Sequence, residues 1–159
     1  MGVIGIVGLL FLSSYPKRTR LPGIEKFSDL GNRHIESVGS IHESYNSNPP
    51  TSGPHVGKIS PWGISEEIIP DEVQVHNLED GGIIVQYHPD KLPKDEWNHL
   101  EDTVMRIGRR HVIIAPRYDM DHTVALTAWR HLLSLESVDE ERIRSFIETY
   151  EGIDHHRRL

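Results

Sequence analysis

The chain predicts an α+β domain: a small mixed or antiparallel sheet with two helices packed on it and a long, ordered, proline-rich loop. Three observations predict it. Apolar strand-length runs stand at Gly82 to Tyr87 and His111 to Ala115. Between and after them, apolar residues recur at helical spacing, first as Trp97, Leu100, Val104 and Ile107, then as Ile143, Phe146, Ile147 and Tyr150. Before them, residues 46–72 hold five prolines and no regular periodicity.

The elements follow in order. Residues 1–14 are an apolar N-terminal segment, with Val3 to Leu12 as its core and Lys17, Arg18 and Arg20 after it. The run is shorter than the roughly 20 apolar residues that span a bilayer. It lacks the positive stretch that opens a secretory signal. Three readings stay open: the end of a membrane anchor whose start is missing, a segment buried against another subunit, or an ordinary buried element. Residues 15–33 read as a linker, broken by Pro16, Pro22, Gly23 and Gly31. Residues 34–152 form the single α+β domain, and 153–159 form a tail.

Within the domain, His34 to Val38 and Ile41 to Tyr45 alternate as short strands. The loop of residues 46–72 is stiffened by Pro49, Pro50, Pro54 and Pro61, so order is expected there. Helix signals are clear over Pro93 to Gly108: proline suits the first turn, and Arg109 and Arg110 suit the negative end of the helix dipole. Val124 to Leu135 reads as a third strand leading into a turn. The last helix starts at Ser137 or Asp139 and stops at Gly152.

Composition narrows the function. The 159 residues suit one domain with a real core. A formal net charge of -7 argues against a nucleic-acid partner. With no cysteine, disulfides, thiolate-held zinc and thiol chemistry are excluded. The eleven histidines are the unusual feature, because imidazole binds metals and titrates near neutrality.

Tyr45 to Tyr87 concentrates the chemistry. A stiff turn runs through Tyr45, Pro49, Pro50, Gly53 and Pro54 into His55, and Trp62 follows as a packing anchor. His76 then precedes Glu79 and Asp80. Two or three histidines with a carboxylate on a rigid frame are what a divalent-metal site requires. The expected ligands are His34, His55 and His76, supported by Glu79 or Asp80, holding copper or zinc. The bland alternative is that these histidines tie the loop to the sheet through hydrogen bonds. Met120 and His122 form a possible second metal site, a thioether and an imidazole two residues apart. His155 and His156 read as a frayed tail.

Catalysis is the weaker class. His76 with Glu79 is half of an acid–base pair, and a hydrolase remains the second alternative. The nucleophile elbow, the nucleotide-binding glycine patterns and the HExxH helix are all missing, so no nucleotide cofactor is expected. The first alternative is an assembly subunit, forming oligomers or filaments through the N-terminal segment and an edge strand at His34 to Tyr45.

YNSNPPTSGPH, VHNLEDGGIIVQY and VALTAWRHLLSLESVDEERIRSFIETY resemble the domain-of-unknown-function 3105 family. Its members show a histidine in an early strand, a tyrosine before PPTSGPH, a VHNLEHGG segment, an apolar strand and a late AW before an Asp-capped helix. The likeness runs from about Gly31 to Tyr150. It implies functional positions at His34, Tyr45, His55, His76 and Glu79. Where the family has a histidine after the glutamate, this chain has Asp80, an oxygen ligand in place of a nitrogen one. Members often follow a single N-terminal membrane segment. The resemblance therefore implies an anchor remnant or interface helix at Val3 to Leu12, and the expectation is an extracytoplasmic, cell-surface or membrane-anchored domain that meets itself or an envelope protein. It implies no reaction.

Overall fold

The structure is a computed structural model that describes residues 22–108 and 110–156. The apolar run Val3 to Leu12 lies outside the described residues. Eleven elements follow in the order β1 (Ile24–Lys26), β2 (His34–Ile35), β3 (His55–Val56), β4 (Gly63–Ile64), α1 (Asp71–Glu79), β5 (Ile83–Tyr87), α2 (Lys94–Ile107), β6 (Val112–Pro116), β7 (Val124–Ala128), β8 (His131–Leu135) and α3 (Glu140–Tyr150). Six strands form one mixed sheet in the order β1-β8-β7-β5-β6-β4, and β2 pairs with β3 in a separate two-stranded sheet. The α+β class is the one predicted.

The sheet divides the molecule. Ile83 and Val85 of β5 face one way, toward Leu100 and Val104 of α2 and Ile143, Phe146 and Ile147 of α3. Ile84 faces the other way, toward Val73, Val75 and Leu78 of α1, with Ile113, Ala115 and Trp129. Strand side chains alternate across a sheet, so one strand feeds both layers. Gly108 ends α2 in the left-handed conformation (φ 66°), and the Asp139 side chain caps α3 by accepting from the Arg142 N–H at 3.1 Å.

Four expectations need correcting. The helices number three among the described residues and cover both faces, because α1 forms at the end of the proline-rich loop without an apolar stripe to announce it. Val124 to Leu135 is a hairpin of β7 and β8, not one strand, paired from Val124 with Leu135 to Ala128 with His131. Its turn carries Arg130 at φ 66°, held from outside: Arg130 N–H donates to Thr51 O at 2.8 Å and Nε to Phe27 O at 3.2 Å. Ile41 to Tyr45 forms no strand. β2 (His34–Ile35) is an edge strand of the two-stranded sheet, and the main sheet has its edges at β1 and β4. Ile24–Lys26, expected as linker, is that edge strand β1, antiparallel to β8.

The proline-rich loop is ordered, and Pro49 to Val56 run buried. Tyr45 explains part of this. Its hydroxyl donates to Pro54 O at 2.6 Å. Its ring lies where a Cβ on Gly53 (φ 129°) would come within 3.1 Å, so only glycine fits there. Arg117 fastens the other flank. It is buried and donates to Asn48 Oδ1 and Asp71 Oδ1, each at 2.6 Å. Among the described residues no helix is long and apolar enough to cross a membrane.

Candidate metal centre

The site begins with a strand pair. β2 and β3 run parallel with His34 and His55 as direct register partners, so the two imidazoles stand side by side. Their ring centroids are 4.9 Å apart. His76 reaches them from α1, at 5.2 Å from His34 and 5.0 Å from His55. On the helix, His76, Glu79 and Asp80 fall at three- and four-residue spacing, hence on one face. The predicted convergence of His34, His55 and His76 is therefore present, and one ligand atom from each lies within 4.8 Å of the others.

Hydrogen bonds decide which nitrogens are free. His55 Nδ1 lies 2.8 Å from Gly53 O, and His76 Nδ1 lies 2.7 Å from Val56 O. A carbonyl oxygen only accepts, so both Nδ1 atoms carry the proton and donate it. A neutral His76 ring then keeps its lone pair on Nε2, while His55 Nε2 is engaged with the Glu79 carboxylate at 2.9 Å. Metal-binding histidines are oriented in this way, one nitrogen donating to the protein and the other left for the ion. The rigid loop supplies the carbonyls, which gives Gly53 and Pro54 a role in aiming His55.

Glu79 lies beneath the rings and is 1% exposed. Its Oε1 accepts from Asn32 Nδ2 at 2.5 Å. Its Oε2 lies 2.9 Å from His55 Nε2, 4.0 Å from His34 Nε2 and 3.5 Å from His156 Nε2. Two lone pairs cannot meet at 2.9 Å without a proton or a cation between them. A buried carboxylate needs positive charge nearby. Among the described residues, the imidazoles of His34, His55 and His156 are the ion-pair partners of Glu79. Burial pushes the His55 pKa down, against the opposing pull of Gly53 O and Glu79. The acid–base pair expected at His76 and Glu79 is instead His55 and Glu79. Ser52 is buried and its Oγ accepts from Leu30 N–H at 3.1 Å.

The C-terminal segment corrects the expectation of a frayed tail. Gly152 N–H donates to Gly81 O and His155 N–H to Glu79 O, both at 2.8 Å. The His155 ring stacks on Trp129 at 5.7 Å. Gly81 (φ 81°) permits this path, because a Cβ there would meet the Ile153 backbone at 2.8 Å. The segment delivers His156. Its Nδ1 donates to Asp154 Oδ1 at 2.8 Å, and its Nε2 lies 3.7 Å from Asp80 Oδ1. His76, Asp80 and His156 thus make a second three-ligand group. Asp154 raises the His156 pKa.

Met120 and His122 are placed differently. Met120 is buried with Ala125 and Leu132, while the exposed His122 pairs with Glu136 Oε1 at 2.5 Å. His122 belongs to no group of three histidine or carboxylate ligands among the described residues. Sequence reasoning missed His156, Asp154 and Asn32. The one signal for them was a histidine four residues past Gly152.

The profile of the family described as "Protein of unknown function (DUF3105)" matches residues 34–157. The chain belongs to the DUF3105 family. The match contains every residue of both three-ligand groups, including His156. No curated protein and no solved structure matches the chain. The Asp80 carboxylate lies 3.9 Å from His76 Nε2.

Proposed function

We propose that this DUF3105 domain binds one transition-metal ion, zinc or copper, through Nε2 of His34, His55 and His76, with the Glu79 carboxylate neutralising its charge. One observation carries the reading: His55 and His76 both spend their Nδ1 protons on backbone carbonyls, so Nε2 of each faces the cluster, where an ion would replace the proton between His55 Nε2 and Glu79 Oε2. A set of histidine nitrogens beside a carboxylate suits zinc or divalent copper. Metal–nitrogen bonds of about 2.0–2.1 Å to one ion require the three ligand atoms, within 4.8 Å of one another, to draw closer together. His55 cannot move far, being buried, but His34 is half-exposed and can close onto it.

The reading is of binding rather than turnover. The His55 imidazole, which meets Glu79, is buried, and Ser52 in the same loop is also buried, with its Oγ accepting from Leu30 N–H. The test is metal content by elemental mass spectrometry on full-length protein, stripped with chelator and reloaded with zinc or copper. One equivalent in the wild type, absent from His55→Ala/His76→Ala while circular dichroism keeps the wild-type shape, is the expected result. No metal in the wild type overturns the reading and leaves the histidines as ties between loop and helix.

A further inference from the structure

The two three-ligand groups share one residue, His76. Its Nδ1 proton is committed to Val56 O at 2.7 Å, so His76 has a single lone pair, on Nε2. One lone pair serves one ion at a time. The groups are therefore alternatives for one ion, not two independent sites.

They differ in access and in donors. The first group ends in the buried His55 and offers three imidazoles. The second offers two imidazoles and the Asp80 carboxylate, and its outer members stand open, with the His156 side chain 47% and Asp80 31% exposed. Glu79 Oε2 joins them, 3.5 Å from His156 Nε2 and 2.9 Å from His55 Nε2. An ion passing from one group to the other stays beside that carboxylate throughout.

We propose that His76, Asp80 and His156 form a loading station, where an ion from solvent is first held before it moves inward to His34, His55 and His76. The inference rests on the metal-binding reading above and adds a route to it. His76 is the pivot, Glu79 offsets the ion's charge along the way, and Asp154 aims His156 by accepting its Nδ1 proton. The tail suits this role, because backbone bonds from Gly152 and His155 pin it while the His156 ring remains exposed. The competing route passes His34, whose side chain is 56% exposed.

The test follows zinc transfer to full-length apoprotein from a chromogenic chelator by stopped flow, in both directions, for wild type, His156→Gln and Asp154→Asn. A station on the path affects uptake and release alike. His156→Gln is expected to slow both by about 10–100-fold and Asp154→Asn by less, with one equivalent bound and the equilibrium affinity nearly unchanged. His55→Ala should still hold cobalt, more weakly, with an absorption spectrum that disappears when His156→Gln is added. Unchanged rates in His156→Gln overturn the proposal and favour the path by His34. Faster release with lost affinity also overturns it, making His156 a permanent ligand, and so do two equivalents in the wild type. Failure of the wild type to take up zinc or copper at all overturns the metal-binding reading itself, a result distinct from each of these.

Discussion

The two faces of the central sheet are built from different materials. On the α2/α3 face, Leu100, Val104, Ile143, Phe146 and Ile147 pack on Ile83, Val85 and Leu126, a layer of aliphatic and aromatic side chains. On the α1 face, the buried side chains include Gln74, Asn77, Glu79 and His55. Each of these has a partner. Gln74 accepts from Gln86, Asn77 exchanges bonds with the Ser60 backbone, and Glu79 meets Asn32 and His55. The first face holds the fold together by area removed from water. The second tolerates buried polarity because these four side chains are bonded, although Gln86 Oε1 and Thr127 Oγ1 nearby are not, and that polarity makes the site.

The contrast breaks most sharply at Phe146. Phe146→Ala should cost about 3–5 kcal/mol in denaturant unfolding, through lost burial and the cavity left behind. The variant that remains folded should bind metal as the wild type does. Loss of binding at equal folded fraction would show that the two faces are not independent.

On the other face the ion itself is the probe. At a free concentration about 100 times the dissociation constant, zinc or copper should stabilise the wild type by about 2.7 kcal/mol, read as a shift in thermal midpoint. His55→Ala/His76→Ala should show no shift. An equal shift in both would place the ion elsewhere.

His55→Ala without metal removes one partner of the buried Glu79 carboxylate. A loss of about 1–3 kcal/mol is expected. Adding Glu79→Gln, which is neutral and can still meet Asn32, should recover part of it. If the double variant is no more stable than the single one, the carboxylate's charge is not what the histidines offset.

The pH dependence is smaller and has a definite sign. Burial lowers the His55 pKa below the ordinary histidine value of 6.5. As pH falls through that value, the unfolded chain takes up a proton that the folded site refuses. Stability therefore declines with falling pH and levels off only below the folded-state pKa. His131 and His155, also lowered by burial, act in the same direction, and His156, raised by Asp154, opposes them. Unfolding measured from about pH 8 down to about pH 5 should show a shallower decline for His55→Gln than for the wild type. Smallest of all is the surface network on the first face. Arg106 and Arg144 donate to the Glu140 carboxylate there, and Arg106→Ala should change stability by only about 0–1 kcal/mol.

The same division governs what could be read from the chain. α2 and α3 were legible because their buried residues recur at helical spacing and their ends carry Pro93, Gly108 and Asp139. α1 was hidden, although Pro70, Asp71 and Glu72 mark its start. In DEVQVHNLE the buried positions are as often polar as apolar, so no apolar stripe exists to reveal a period. The β7–β8 turn was hidden for a related reason. Trp129 and Arg130 carry no glycine or asparagine signal, and the left-handed Arg130 is held by Thr51 and Phe27, both remote in sequence.

The sequence by itself determined the α+β class, the two amphipathic helices, the ordered proline-rich loop and three of the histidines that meet. Those features reside in local spacing and in residue types that restrict their own backbone. Only the tertiary structure decided that β2 and β3 set His34 beside His55, that loop carbonyls hold the Nδ1 protons of His55 and His76, and that the tail returns across Gly81 to bring His156 to Glu79. Each of these joins segments far apart in the chain, and no local periodicity encodes a partner that distant.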